Sequence, residues 1–165
     1  LAQSGSALAF CPSSNRFLGS GHMDASCALA AGIRVGLASD VGAGTSLSML
    51  RTMAAAYEVS MATPETLNPW RLWYLATLGG AEALRLGEWV GNFAEGKEAD
   101  FVVLDWQGTP DLAWRIAHCE DLAARLFALL MLGDERCVVA THVLGQRLYD
   151  RAGGTDGQVG TAAPQ

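Results

Sequence analysis

Asp40 is the residue best placed to do chemistry. It follows an apolar run over residues 33–38 and precedes Val41-Gly42-Ala43-Gly44, a loop small enough for other groups to approach closely. In a barrel of parallel strands, catalytic groups collect at the C-terminal ends of the strands. A carboxylate there can bind a metal ion and accept a proton from the water that the metal activates. The same residue can equally serve only to cap the following turn, and its spacing alone does not separate the two roles.

The other candidates are weaker. Gly42-Ala43-Gly44-Thr45-Ser46 before a helix has the composition of an anion site, since helix N-termini attract phosphate. It lacks the Gly-Lys-Ser/Thr of a phosphate loop, and Gly-x-Gly without its third glycine is a weak dinucleotide signal. His22, His118 and His142 lie far apart, and none falls in a His-x-His or His-Glu-x-x-His pattern. His22 follows Gly-Ser-Gly in a loop near the presumed catalytic face, where it can line a pocket or simply sit at the surface. His142 lies in a strand pattern and reads as structural. Cys11 follows the first apolar run, with the alternatives of a nucleophile or a small buried residue lining the interior.

Positioning such groups requires a core. Half of the 165 residues are hydrophobic and only 17% are charged, enough apolar material for one domain and a sign of surface that buries against something else. The net charge of −6, with basic residues scattered, argues against a nucleic-acid backbone or anionic lipid as ligand. Cys11, Cys27, Cys119 and Cys137 form no metal-binding pair spacing and read as reduced thiols of a cytoplasmic protein. No stretch approaches the roughly 20 apolar residues of a membrane helix. The start, Leu1-Ala2-Gln3-Ser4-Gly5, is no signal peptide and begins in mid-pattern, as a truncated reading frame or an excised fragment would.

The elements follow from periodicity. Residues 7–10 form a short apolar run that Cys11-Pro12-Ser13-Ser14-Asn15 stops as a turn cluster. Residues 23–31 are Ala-rich and helical with Gly32 as stop, and residues 33–38 are a second strand, so the order is the strand–helix–strand of a parallel sheet. After Gly44 a longer helix is expected, capped by Thr45 or Ser46, with Leu50, Met53, Tyr57 and Met61 on one face. Asn68-Pro69 starts another, carrying Leu72, Leu75 and Ala76 and interrupted at Gly79-Gly80. From Trp89 the texture turns to a glycine-rich turn and then a strand within residues 99–104. A helix over residues 121–132 has Leu122, Leu126, Leu129 and Leu130 on one side, and two strands flank Gly145. The tail over residues 153–165 is Gly/Ala/Thr-rich and expected to be disordered.

Several segments resemble the guanine deaminase family in the family's own order. Phe10-Cys11-Pro12-Ser13-Ser14-Asn15 with Phe17-Leu18-Gly19-Ser20-Gly21 resembles the seventh-strand segment. Ser39-Asp40-Val41-Gly42-Ala43-Gly44-Thr45-Ser46, followed by Ser48-Met49-Leu50, resembles the eighth. Ala76-Thr77-Leu78-Gly79-Gly80-Ala81, Gly91-Asn92-Phe93 and Gly96-Lys97-Glu98-Ala99-Asp100 complete the series over about residues 5–150. The Gly-Lys-x-Ala-Asp element marks the amidohydrolase superfamily as a whole, whereas the loop around Asp40 together with Phe-Leu-Gly-Ser-Gly is much narrower.

The resemblance implies an α/β fold: the last two strand–helix units of a metal-dependent-hydrolase (β/α)8 barrel over residues 1–88. A returning segment of the small flanking β-sandwich, with one helix, follows over residues 89–152. It implies zinc-dependent hydrolysis of guanine to xanthine and ammonia in the complete protein. There the zinc is held by a His-x-His, two further histidines and an aspartate, and Asp40 matches that aspartate as both metal ligand and proton shuttle. This chain has neither the His-x-His, nor a metal histidine at a matching position, nor the family's upstream glutamate, so by itself it is expected to be inactive. Arg16 stands where an apolar residue is common. The strand matching the family's seventh is left with an unpaired edge, an aggregation hazard. The family's common dimerisation implies a homodimer of the complete protein, with guanine the small-molecule ligand. The alternatives are a deaminase or chlorohydrolase of another nitrogen heterocycle, and a non-catalytic remnant that binds a partner chain.

Overall fold

The computed structural model describes residues 1–153, so the expected disorder of the tail beyond Gly153 lies outside the described residues. The two apolar runs form β1 (Ala7–Phe10) and β2 (Arg34–Leu37), which pair in parallel with Phe10 beside Leu37. Their inward faces are buried, as strands covered by helices require. Between them lie two helices rather than one. The segment expected to be a turn is α1 (Pro12–Leu18), because Pro12 occupies the first helical position and Gly19 closes the helix at φ 67°. The second, α2 (Ala25–Ala30), takes its N-terminal cap from Asp24, whose carboxylate accepts the Cys27 amide, and stops before Gly32 at φ 74°.

Two further helices follow, the second of them lying against β2. The first, α3 (Met49–Ser60), begins later than expected: Ser48 is the cap, while the Ser46 hydroxyl two residues upstream accepts the Ser48 amide. Leu50 and Met53 are buried and Tyr57 half-buried, but Met61 is 60% exposed because it lies past the last helical residue. Ala56 and Val59 complete the buried face. The second, α4 (Pro69–Ala76), starts where Asn68-Pro69 indicates, with the Asn68 side chain accepting the Arg71 amide at 2.9 Å. Leu72 and Leu75 are fully buried, each contributing about 1.5–3 kcal/mol relative to exposure.

Gly79-Gly80 does not interrupt the chain. The break falls at Thr77, whose hydroxyl donates to the Trp73 carbonyl at 2.7 Å, and the glycines lie inside the next helix, α5 (Leu78–Ala83). Glycines at 36 and 79 let α5 lie directly on β2. A Cβ at Gly36 would come within 2.9 Å of the Gly80 Cα, and one at Gly79 within 3.1 Å of the Val35 carbonyl.

The later part forms a three-stranded antiparallel sheet in the order β3 (Phe101–Leu104), β4 (Val138–Val143), β5 (Gln146–Asp150). Between β3 and β4 stand two helices, of which only the second is expected from the sequence. The first, α6 (Pro110–Ala117), is capped by Thr109 and started by Pro110. The second, α7 (Leu122–Leu132), is capped by Asp121. Leu112, Ala128, Leu129, Leu130 and Cys137 belong to the same apolar cluster as Phe10, Val35, Leu50 and Leu72. Leu122 instead faces outward. Among the described residues no helix is long and apolar enough to cross a membrane.

Candidate active site

Parallel pairing places the C-terminal ends of β1 and β2 side by side, with the Ala38 amide donating to the Phe10 carbonyl at 2.9 Å. Three residues beyond β2 stands Asp40, exposed and in the left-handed region at φ 48°. Aspartate tolerates that conformation better than most side chains. The loop after it folds back tightly: the Gly44 amide donates to the Asp40 carbonyl at 2.6 Å. Only glycine fits at 44, since a Cβ there would stand 1.7 Å from the Ser39 carbonyl oxygen.

The Asp40 carboxylate is anchored from the other strand's helix. Ser14, buried in the first turn of α1, donates its hydroxyl to Asp40 Oδ2 at 2.6 Å. Among the described residues no hydrogen bond reaches Oδ1. This partner was not foreseen, because Ser14 lay in a segment expected to be a turn; Pro12 behind Cys11 was the available sign of a helix that would turn Ser14 inward.

Cys11 lies beside this carboxylate and is half-buried, its thiol donating to the Ala9 carbonyl at 3.6 Å. Burial first, and the Asp40 charge second, push the thiol above its ordinary value. An upward shift lowers the share of thiolate that a nucleophile needs, which favours the lining role of the two expectations. All four cysteines are free. Arg16, on the same short helix, turns outward and pairs with Glu58 of α3.

The histidines stay apart. His22 is exposed in the loop before α2. His118 is exposed at the end of α6, with Nδ1 against the Trp114 carbonyl at 2.7 Å. His142 stacks on Phe101 within the antiparallel sheet, ring centroids 4.3 Å apart, and its buried Nδ1 has no hydrogen-bond partner among the described residues. No group of three or more His, Cys, Asp or Glu side chains able to hold a metal ion occurs among the described residues. The donor chemistry nevertheless fits one corner of a zinc site, a carboxylate at a strand mouth with one oxygen uncommitted among the described residues. The described residues supply that corner and no more.

A model of the amidohydrolase family matches residues 1–148. The chain belongs to the amidohydrolase family. Among sequence relatives of this amidohydrolase, the guanine deaminase of Escherichia coli (strain K12) is 42% identical over 92% of this chain and 34% of its own. The solved structure of E. coli guanine deaminase superposes with a TM-score of 0.89, covering 92% of this chain and 36% of that one. A guanine deaminase from C. acetobutylicum, solved with guanine bound in the active site, is 30% identical with a TM-score of 0.76. That match covers 88% of this chain and 34% of that one. An adenosine deaminase from Xanthomonas campestris, solved with zinc bound, is 25% identical with a TM-score of 0.79, covering 94% of this chain and 35% of that one. The chain spans about a third of the length of the curated relatives it matches. These structural neighbours are amidohydrolase-fold enzymes, and the mixed α/β architecture described above agrees with theirs.

Proposed function

We propose that this amidohydrolase segment is part of a zinc-dependent guanine deaminase that converts guanine and water to xanthine and ammonia. The observation that carries the reading is Asp40 at the mouth of β2, with Oδ2 tied by Ser14 and Oδ1 uncommitted. The 42% identity to the E. coli enzyme supports guanine over other nitrogen heterocycles, since the triazine hydrolases among the structural neighbours reach only 26–27%.

In this reading residues 1–88 contribute the last two strand–helix units of a (β/α)8 barrel, and the parallel pair β1–β2 with its covering helices supports that placement. Residues 89–152 contribute to a flanking β-sandwich; the antiparallel sheet β3–β4–β5 with Val102, Val103 and Leu148 exposed supports it. The complete protein works in the cytoplasm as a homodimer. Exposed Trp89 and Trp114 offer apolar surface of the kind such contacts use.

Asp40 has two tasks. Through a carboxylate oxygen it would hold zinc, which when bound supplies Lewis acidity that makes water nucleophilic near neutral pH. As a base it takes the proton of the attacking water and passes it to the departing ammonia. The remaining zinc ligands, the acid that protonates the ring and the guanine-gripping groups belong to the remainder of the complete protein, so this chain alone is inactive. Assaying the complete protein against guanine, adenosine, cytosine and a chlorotriazine, with xanthine read by its absorbance, tests the proposal. Turnover confined to guanine is expected; efficient turnover of another ring with none of guanine would replace the substrate.

A further inference from the structure

We infer that Ser14 is a positioning residue for Asp40, selecting which carboxylate oxygen remains free for the metal and the proton. The inference rests on the role given to Asp40 above and deepens it.

Ser14 is only 1% exposed, so its hydroxyl needs a partner inside the protein. A serine in a first helical turn commonly donates to a carbonyl three or four residues back. Here those are the carbonyls of Cys11 and Phe10, which accept the amides of Asn15 at 3.0 Å and Ala38 at 2.9 Å, and the Ser14 hydroxyl bonds to neither. The hydroxyl instead reaches across 26 residues of sequence to Asp40 Oδ2. At 2.6 Å the bond falls in the charge-assisted range of a hydroxyl on an ionised carboxylate.

Asp40 itself has little else to orient it. It is exposed, its backbone is left-handed at φ 48°, and its own carbonyl is engaged by Gly44. Backbone geometry sets where the side chain leaves the loop, and the Ser14 bond sets its rotation. With Oδ2 accepting that hydrogen bond, Oδ1 carries none among the described residues and is the oxygen more open to bind or to take a proton. The anchor is rigid because Pro12 fixes the start of α1 and the packed β1–β2 pair fixes its distance from the loop. A serine fits the task because it donates one proton without adding charge beside a cation site.

The test is Ser14→Ala in the complete zinc-loaded protein. Four quantities are measured: the rate of zinc loss to a chelator, kcat for guanine, KM for guanine, and the melting temperature of the zinc-free form. Removing a partner that orients a metal ligand is expected to accelerate zinc loss and lower kcat by roughly tenfold to a hundredfold. KM should stay within about twofold, because the contact is not to substrate. The melting temperature should hold, because Asp40 is exposed and water replaces the lost donor. Zinc retention and kcat within about twofold of the parent would overturn the inference. So would a lowered melting temperature that accounts for the losses, which marks a packing role. Asp40→Asn run in parallel separates the two ideas. If it keeps zinc and turnover, the role given to Asp40 falls; if it loses both while Ser14→Ala loses neither, only the role given to Ser14 falls.

Discussion

Tyr57 of α3 and Phe127 of α7 meet edge to face, ring centroids 4.8 Å apart and planes inclined at 72°. The pair joins a helix that follows the Asp40 loop to one that lies between the strands of the antiparallel sheet. Both rings are half-buried at the margin of the common core. A double-mutant cycle with Tyr57→Ala and Phe127→Ala, followed by denaturant unfolding, should return a coupling of about 0.5–1.5 kcal/mol. A coupling near zero would mean that other members of the shared apolar cluster hold the two helices together.

Gly44→Ala should disable the Asp40 loop without unfolding the protein. The new methyl group would meet the Ser39 carbonyl at 1.7 Å and the Asp40 carbonyl at 2.9 Å, both backbone atoms that cannot rotate away. The loop must open, at a cost above about 1 kcal/mol, and Asp40 must leave the reach of Ser14. Expected in the complete protein are loss of bound zinc, read by metal analysis, and an unchanged far-ultraviolet circular dichroism spectrum. Retention of zinc would show that the tight 40–44 turn is dispensable.

Acid sensitivity should trace in part to Asp134. Asp134 is buried, and its carboxylate accepts from the Arg136 guanidinium through Nε at 3.0 and 3.1 Å and Nη2 at 2.7 Å. That pairing is the main cause holding its pKa below the ordinary 3.8, with the Arg136 amide and the Arg51 charge adding to it. A carboxyl group whose pKa is lowered by folding stabilises the native state fully above its unfolded value. The contribution fades as pH falls through the still lower folded value. Below about pH 4 the parent should therefore lose stability more steeply than Asp134→Asn, which has no such charge to neutralise. Urea midpoints at pH 7 and pH 3 read the difference; equal losses in both proteins would contradict it.

Thiol labelling should resolve three classes of cysteine. Cys27 is exposed and should react first. Cys11 is half-buried and its thiol is pushed up by burial and by Asp40, so less thiolate is present at neutral pH and its labelling should lag and then quicken as pH rises. Cys119 and Cys137 are buried and should react only on unfolding. Mass spectrometry of a timed alkylation series gives the order, and early modification of Cys137 would show that the sheet and core separate readily.

Much of the fold could be read because its signals are local. Asn68-Pro69 announces α4, Asp121 announces α7 and Gly32 ends the turn after α2, since a cap or a stop acts within one helical turn of itself. Alternating apolar runs and helical stretches were enough for a parallel pair followed by a second, strand-rich part. The motif around Asp40 was enough for the family. Thr109-Pro110 carries the same kind of local signal for α6, a threonine cap before a proline in the first turn.

What the tertiary structure decided lies beyond that reach. Whether Gly79-Gly80 breaks a helix or lets one lie against a strand depends on Gly36, more than forty positions earlier, and on backbone atoms that no periodicity reports. That α7 packs on α3 follows from which faces remain apolar once β1, β2 and α4 have closed. The partner of Asp40 is set in the same way. Ser14 belongs to a segment whose composition suggests a turn, and only the parallel alignment of β1 with β2 brings its hydroxyl to a carboxylate 26 residues on. Local sequence carries the identity of the chemical group, because side-chain type is local; its orientation is a contact, and contacts exist only after the chain has folded.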